Sequence, residues 1–567
     1  MCGIWALVHL KKKKLDRAQL FQDFCQLDHR GPDNSYFETY ENVMIGFHRL
    51  AIVDDTFSSN QPFILEDSQR TVVLICNGEI YNYKEIIEGQ SLPPSKNDCM
   101  VLAELYMKLA RRGQEYDFDR QIRHRVKGEF AFVLFEFDRL KNLKKVIVCR
   151  DEIGIRPLYV SQETDTLLFT SELKGAASYP ESMVEFPPGM MHVYHINELG
   201  MVRQEQRSCT TLSSVVHAPL KTGQYTLSFG QRVAKVELPH LDLVRTAVMN
   251  SVRRRLCADK PIAWLLSGGV DSSLVAALSA KMLGKSIRTF CCGMKEGTDL
   301  QFARKVAKHI GSHHTEVYFT PQEGLDAIRD VIRTIESWDT TTVRASVGQY
   351  LVSKYIGTQT DCKVVMVGEG PDEVCSSYLF NWYAPSGEAL DESAKEYVKN
   401  IHYYDVKRAD RCIARWGLEG RVPLLDPEFI QAYWSIPADW RMPTYKKMEK
   451  WWLREAFSNT DLLPDEVLWR KKEAFSDGVS GEQSWFQIIQ EWVEDKVSAE
   501  EMEKAEETYP YCTPTTKEAY FYRKVFCEEI GVHRQQVIPG YWQPKWSADG
   551  AEVTGYIDPS ARVHAPL

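Results

Sequence analysis

The chain has 567 residues, of which 44% are hydrophobic and 26% charged, with a formal net charge of −9. That length allows about three domains of ~100–200 residues, or two large ones, each with a core of ordinary size. An acidic chain whose one basic run is Lys11 to Lys14 makes a poor nucleic-acid binder, and no apolar run approaches the roughly 18 residues a membrane helix requires.

The first eight residues, Met1 to Val8, are apolar and are followed, not preceded, by lysines. This suits a buried strand and not a signal peptide. Short apolar runs follow at Val43 to Val53, Thr71 to Cys76, Glu129 to Phe137, Lys145 to Cys149 and Leu167 to Thr170, punctuated by Gly31-Pro32-Asp33 and Asn77-Gly78. Asp98 to Arg111 carries Val101, Leu102, Leu105 and Leu109 at helical spacing. Residues 1–205 therefore read as antiparallel sheets flanked by helices. Residues 206–240, rich in Ser, Thr and Gln, read as a linker.

Beyond the linker, strand-like and helix-like segments alternate. Strands are expected at Ile262 to Leu266, Ile287 to Cys292, Thr315 to Phe319 and Lys363 to Val367, and helices at Ser272 to Leu283 and Leu300 to Ile310. Thr320-Pro321-Gln322-Glu323 predicts a helix start, with Thr as cap, Pro at the first position and Glu three residues on. Such alternation argues for a parallel sheet covered on both faces. Residues 380–535 read as mainly helical, and the tail 536–567, rich in Pro, Gly and Trp, carries no periodicity that places it. The expected fold class is thus mixed α/β and α+β, with a second large unit spanning 241–535. Fourteen scattered cysteines without a CxxC pair point to a reducing, cytoplasmic setting. His313 and His314 lack partners at zinc spacing.

Two places carry chemistry. Cys2 follows the initiator Met, whose removal would leave a thiol and a free α-amine on one residue. An amine with an ordinary pKa near ~8 can accept the thiol proton, so nucleophile and base come together. A buried small hydrophobe is the alternative for a lone cysteine. The second place is Leu265-Leu266-Ser267-Gly268-Gly269-Val270-Asp271-Ser272-Ser273, between a strand and a helix. Open backbone N–H groups and a helix N-terminus suit phosphates there. The spacing fits neither a Walker A loop nor a GxGxxG loop.

Cys2-Gly3-Ile4, His29-Arg30-Gly31-Pro32-Asp33, His48-Arg49-Leu50, Asn77-Gly78-Glu79-Ile80-Tyr81-Asn82 and Arg150-Asp151 with Gly154 and Arg156-Pro157-Leu158 occur in this order. Together they resemble the class II glutamine amidotransferases, which are N-terminal-nucleophile hydrolases with an αββα sandwich. The resemblance implies Cys2 as nucleophile, and Asn77 with the Gly78 N–H as oxyanion hole. It implies a glutamine site made of Arg49, Leu50, Ala51, Ile52, Val53, Asn77, Gly78, Glu79 and Asp98. Arg49 would take the α-carboxylate, and Glu79 and Asp98 the α-ammonium. Asn97 and Cys99 depart from the family's usual neighbours of Asp98.

The Ser267–Ser273 loop resembles the SGGxDS loop of ATP pyrophosphatases. The order of the two units resembles the glutamine-hydrolysing asparagine synthetase family, as do Thr341 to Ser346, Gly368 to Glu373, Arg408 to Asp410, Gly417 to Pro423 and Trp469 to Gly478. This resemblance implies glutamine, aspartate and ATP as substrates, with Mg2+ as companion ion, and allows a homodimer. It implies ATP and pyrophosphate binding by Leu265, Ser267, Gly268, Gly269, Asp271, Ser272, Cys292, Val367, Gly368 and Lys472. Aspartate would be held by Thr341, Thr342 and Arg344, magnesium by Asp271 and Asp372, and Glu369 would act as base. Val367 and Pro371 replace serines usual in the family. The expectation is therefore a working synthetase. The alternatives are another carboxylate acceptor, or a degenerate synthetase half that leaves a glutaminase or an interaction protein.

Overall fold

The computed structural model describes residues 1–10, 16–163, 166–179, 183–197, 202–212, 232–295, 297–471, 478, 480 and 483–553. Two six-stranded antiparallel sheets come first. One has the order β10-β8-β9-β1-β3-β2, with β1 Gly3–His9, β2 Asn34–Tyr40, β3 Val43–Arg49, β8 Tyr159–Gln162, β9 Thr166–Thr170 and β10 Val184–Glu185. The other has the order β12-β11-β7-β6-β5-β4, with β4 Phe63–Glu66, β5 Arg70–Ile80, β6 Gly128–Asp138, β7 Leu143–Arg150, β11 Met190–Ile196 and β12 Val202–Ser208.

Period-two side chains decide how these sheets stack. Ile4, Ala6 and Val8 of β1 meet Val73 and Ile75 of β5 and Ala131, Val133 and Phe135 of β6 in one buried layer. The alternate residues face outward: Trp5 and Leu7 pack with Leu20 and Phe24 of α1 (Arg17–Cys25). Val72, Leu74 and Cys76 pack with Ile86 of α2 (Tyr83–Gln90), Leu102 and Leu105 of α3 (Met100–Arg111) and Ile122 of α4 (Phe118–Arg125). The result is the expected αββα sandwich.

α5 (Arg232–Arg255) leads into a five-stranded, wholly parallel sheet, order β15-β14-β13-β16-β17. Its strands are β13 Ile262–Leu265, β14 Arg288–Gly293, β15 His313–Tyr318, β16 Val364–Met366 and β17 Glu419–Arg421. α6 (Val270–Leu283), α7 (Thr298–Ile310), α8 (Pro321–Ile335) and α9 (Thr340–Gln359) connect them. The capping box expected at Thr320 and Glu323 is formed. The segment 380–535 is mainly helical among the described residues, as expected, with one addition: the three residues Glu-Gly-Arg of β17 complete the sheet. Two charged residues in a three-residue strand leave no hydrophobic alternation to read.

After α10 (Pro371–Val374), α11 (Gly387–Asn400), α12 (Asp405–Ala414) and α13 (Pro427–Trp434), the chain continues as mostly short helices to Lys517–Glu529. The tail, which had no expected place, packs back: Trp542 and Trp546 are buried against Phe380 and Leu390. All fourteen cysteines are free of disulfides. No helix among the described residues is long and apolar enough to cross a membrane.

Candidate active sites

Cys2 stands just ahead of β1, at the edge of the sandwich. Its Sγ lies 3.8 Å from the Leu50 carbonyl, and Arg30 Nε donates to the Cys2 carbonyl at 3.0 Å. Burial pushes the thiol up to about 11. A thiol so placed needs a base beside it to become a nucleophile. Met1 is buried, and its ammonium is 3.9 Å from Glu419 Oε2. Burial lowers that ammonium to about 6, so an amine in this region gives up its proton easily.

Asn77 and Gly78 lie inside β5, paired with Ala131 and Phe130 of β6, rather than after the strand as expected. Both amide atoms of Asn77 are buried with no hydrogen-bond partner. Such an orphaned pair is costly, ~1–3 kcal/mol per unmade bond, unless something else supplies the partner. A glycine is needed next to it because a Cβ at position 78 would collide with the Glu129 carbonyl and with Phe130. The constraint comes from the neighbouring strand, not from an approaching ligand.

Arg49 is buried at the end of β3. It donates through Nη1 to the Thr56 carbonyl at 3.0 Å and Asn60 Oδ1 at 2.6 Å, and through Nη2 to the Asp54 carbonyl. Among the described residues its partners are neutral oxygens, so the guanidinium is oriented but its charge is unmatched by a carboxylate. Leu50, Ile52 and Val53 run past Cys2 and are buried against Val364 of the parallel sheet, while the Ala51 N–H donates to Asp33 at 2.8 Å.

Opposite in charge, Glu79 and Asp98 are both buried. Asp98 accepts the Ile80 N–H at 2.7 Å, and burial raises it to about 6. Glu79 is raised well above the usual range by burial, then by Asp98 and Glu419; Arg421, 3.5 Å away, only partly offsets this. An excess of buried negative charge suits an incoming ammonium group. If Asp98 binds it as a carboxylate, KM for glutamine rises as pH falls through about 6, approaching tenfold per pH unit, as Asp98 gains the proton that blocks it. KM for ATP does not follow. A glutamine KM that is flat between about pH 5 and 8 would exclude Asp98 from the ammonium site.

The second site lies where the parallel sheet reverses its order, between β13 and β16. In open α/β sheets ligands bind beyond the carboxyl ends of the strands at such a point. Here β13 runs into Leu266–Gly269 and α6, and β16 runs into Val367–Gly370 and α10. A cavity is lined by Leu265, Ser267, Gly269, Asp271, Ser272, Cys292, Gly368, Glu369 and Asp372, which brings most of the expected ATP and metal residues together. α6 begins without a side-chain cap, so its first N–H groups face the cavity unclaimed by one. Gly268 does not line it; it holds a φ of +75° where Phe302 leaves no room for a Cβ. Gly368 abuts the Ser272 backbone, which seats the two loops against each other.

Val367, expected to bind ATP, is buried in the core and does not line the cavity; its N–H donates to the Arg421 carbonyl at 3.1 Å. Pro371 stands at the start of α10, where a helix has no use for the missing N–H. Lys472 lies outside the described residues. Thr341, Thr342 and Arg344 do not line the cavity either. Arg344 donates to both carboxylate oxygens of Glu518, at 2.7 and 2.5 Å, and stacks on Phe486; Thr342 bonds the helix cap Asp339. The α9 residues that do line the cavity are Gln349 and Val352; Gln349 is five positions beyond Arg344 and so about 7.5 Å further along the helix on another side.

Lys450 was missed in the sequence, and Arg408 was noted only as part of a motif, without a role. Lys450, at φ +56°, is buried and donates to Asp271 Oδ2 at 2.5 Å and Asp372 Oδ1 at 2.6 Å. Burial alone would lower its ammonium, but the two carboxylates overcome this and raise it. Arg408 donates to Gln349 at 2.7 Å, Glu369 at 3.3 Å and Asp405 at 2.8 Å. Burial raises Glu369, with Arg408 partly offsetting it. No local pattern marks Lys450, which sits in a run of charged and aromatic residues.

Comparison with known proteins covers both halves. The family model described as "Asparagine synthase" matches residues 243–391 and 383–554, and the one described as "Glutamine amidotransferase domain" matches residues 1–226. The chain is 39% identical to the "Asparagine synthetase [glutamine-hydrolyzing]" of Gallus gallus over 99% of its own length and 98% of that protein's. Its similarity to the proteins of the same name from Bos taurus and Homo sapiens is the same in identity and coverage.

Proposed function

This chain belongs to the family of glutamine-hydrolysing asparagine synthetases, and from that premise we propose how its own residues divide the work. The reaction converts ATP, aspartate, glutamine and water into AMP, pyrophosphate, asparagine and glutamate. The observation that carries the reading is the cavity at the sheet's reversal point, where the Ser267–Ser272 loop, Glu369, Asp372 and Lys450 meet.

In the glutaminase half, removal of Met1 frees the Cys2 amine, which takes the thiol proton. The thiolate attacks the side-chain amide of glutamine. Asn77 and the Gly78 N–H hold the oxyanion, Arg49 the α-carboxylate, and Glu79 and Asp98 the α-ammonium. The amine passes its proton to the leaving ammonia, and water then releases glutamate from the thioester.

In the synthetase half, the loop and the start of α6 cradle the phosphates of ATP, with Leu265 and Cys292 beside the base. The β-carboxylate of aspartate attacks the α-phosphorus, the bond to the β-phosphate breaks, and β-aspartyl-AMP and pyrophosphate form. Lys450 lies where the negative charge of the departing pyrophosphate accumulates. Ammonia attacks the activated carbonyl, Glu369 takes its surplus proton, and AMP leaves. Arg408 and Gln349 form the polar wall for aspartate, and Arg344, already paired with Glu518, acts on it through α9.

Asp271 and Asp372 fit a magnesium ion. They are hard oxygen donors close enough to share one ammonium, and Asp271 Oδ1 is buried without a partner. Bound there with phosphate oxygens and water, magnesium would neutralise phosphate charge. Fourteen free cysteines support a cytoplasmic setting.

The test is a product balance on protein whose Met1 is shown to be absent by mass. Asparagine, AMP and pyrophosphate are expected in equal amounts with either glutamine or ammonium as nitrogen source. Glutamate release without AMP would sink the synthetase reading.

A further inference from the structure

Cys2 is held from the other half of the chain. Arg30, fully buried, donates through Nε to the Cys2 carbonyl at 3.0 Å. Its two remaining nitrogens meet Asp410 of α12, Nη1 to Oδ2 at 2.9 Å and Nη2 to Oδ1 at 3.2 Å, a forked pairing of guanidinium and carboxylate. Arg156 Nη1 lies 3.7 Å from Asp410 Oδ1. The two arginines that pair with Asp410 thus both come from the glutaminase half. Arg411, the next residue of α12, donates to the Ser171 carbonyl at 3.0 Å, and Ser171 Oγ accepts the Ile4 N–H at 3.0 Å. α12 therefore reaches the start of β1 on both sides of Gly3, at Cys2 through Arg30 and at Ile4 through Ser171.

The same helix serves the other site. Arg408 lines the synthetase cavity and donates to Gln349 and Glu369. Asp410 stands two positions on, about 200° around the helix, and so faces away from Arg408. Glu172 sits between the two anchoring arginines, bonded to Arg30 and 2.9 Å from Arg411. All of these charges are buried, and separating such pairs without water is costly, so the arrangement holds its geometry.

We propose that Asp410 and Arg30 are positioning residues for glutamine hydrolysis: α12, an element of the synthetase half, aims the Cys2 thiol through them. This rests on the glutaminase reading above. Once Met1 is removed no chain precedes Cys2, so its carbonyl and the strand that follows set where Sγ stands against Asn77 and Arg49. A misplacement of about 1 Å at a reacting group costs on the order of a hundredfold in rate.

The test uses the full-length enzyme with Met1 removed. Asp410→Asn keeps the side chain's shape and removes the charge that takes both Arg30 nitrogens. It is expected to lower kcat for glutamine hydrolysis about tenfold or more, with KM for glutamine within about threefold, because Arg49, Glu79 and Asp98 are untouched. Ammonia-dependent asparagine formation stays within about twofold of wild type, whereas a general loosening of α12 would disturb Arg408 and slow that reaction too. Labelling of Cys2, followed by mass, gives a second readout. Iodoacetamide, which needs no bound pose, labels the variant at about the wild-type rate. A chloroketone of glutamine's shape, which must be held against the thiol, labels it about tenfold more slowly. Arg30→Lys is expected to show the same pattern and decides the matter if Asp410→Asn does not fold. It keeps a cation beside Glu172 and Asp410, but one ammonium does not reach the Cys2 carbonyl as well. A hydrolysis kcat less than about tenfold lowered in a folded variant overturns the proposal, as does an equal fall in the ammonia-dependent reaction or an equal change with both labels. A wild type that hydrolyses no glutamine overturns the glutaminase reading and this proposal with it. A normal wild type with indifferent variants overturns the proposal alone.

Discussion

Cys2→Ala is expected to cut glutamine-dependent asparagine formation by about a thousandfold or more, while ammonia-dependent formation stays within about twofold of wild type. The change removes one sulfur atom and keeps Cβ, so β1 and its pairings with β3 and β9 lose nothing. Alanine is also small enough for Met1 to be removed. What goes is the atom that attacks the amide. The orphaned Asn77 amide, the oriented Arg49 and the Glu79–Asp98 pair then have a substrate to hold but no nucleophile to present to it. Glutamine binding should survive, visible as protection of the variant against thermal unfolding by added glutamine. Equal loss with glutamine and with ammonium would mean that Cys2 supports the fold of both halves instead of the chemistry of one.

The second large effect is expected at Lys450. Lys450→Met should lower AMP formation about a thousandfold, with either nitrogen source, and leave glutamine hydrolysis near the wild-type rate. Two things are lost together: a cation beside the leaving pyrophosphate, and the bridge between Asp271 and Asp372. Losing the bridge alone leaves two carboxylates facing each other, which costs about 1–3 kcal/mol and lowers stability. Lys450→Arg separates the effects, because it keeps charge and bridge but changes the shape of the donor. Recovery of stability without recovery of AMP formation is the expected pattern. AMP formation within about tenfold of wild type in Lys450→Met would remove Lys450 from the reaction.

The departures at Val367 and Pro371 bear on these tests. In the sequence both replace serines usual in the family. In the fold Val367 turns into the core, and Pro371 opens a helix at a position whose N–H is unpaired in any helix. Neither removes a group from the cavity wall, which keeps Asp271, Glu369 and Asp372.

The sequence by itself determined the elements and the order of the two chemistries. The apolar runs of β1, β5 and β6, the capping box at Thr320 and the Ser-Gly-Gly-Val-Asp-Ser loop are written in neighbouring residues, because strand burial, capping and backbone freedom have local signals. The roles expected of Cys2, Asn77-Gly78 and Asp271 came from ordered motifs along the chain, through the family resemblance. The tertiary structure alone decided which charged side chains face which partners. Arg344 was expected to hold aspartate, and in the fold its Nε and Nη2 donate to Glu518, 174 positions away. Lys450 showed no signal until Asp271 and Asp372 were brought to it from distances of 179 and 78 positions. The tail had no visible period, yet its Trp542 finds Asp339 and Phe380. β17 exists because β16 offers it an edge, not because Glu-Gly-Arg prefers a strand. Long charged side chains and short edge strands take their roles from whatever the rest of the chain places beside them. A buried charge must find an opposite charge or an oxygen, and only the folded chain says which one is within reach.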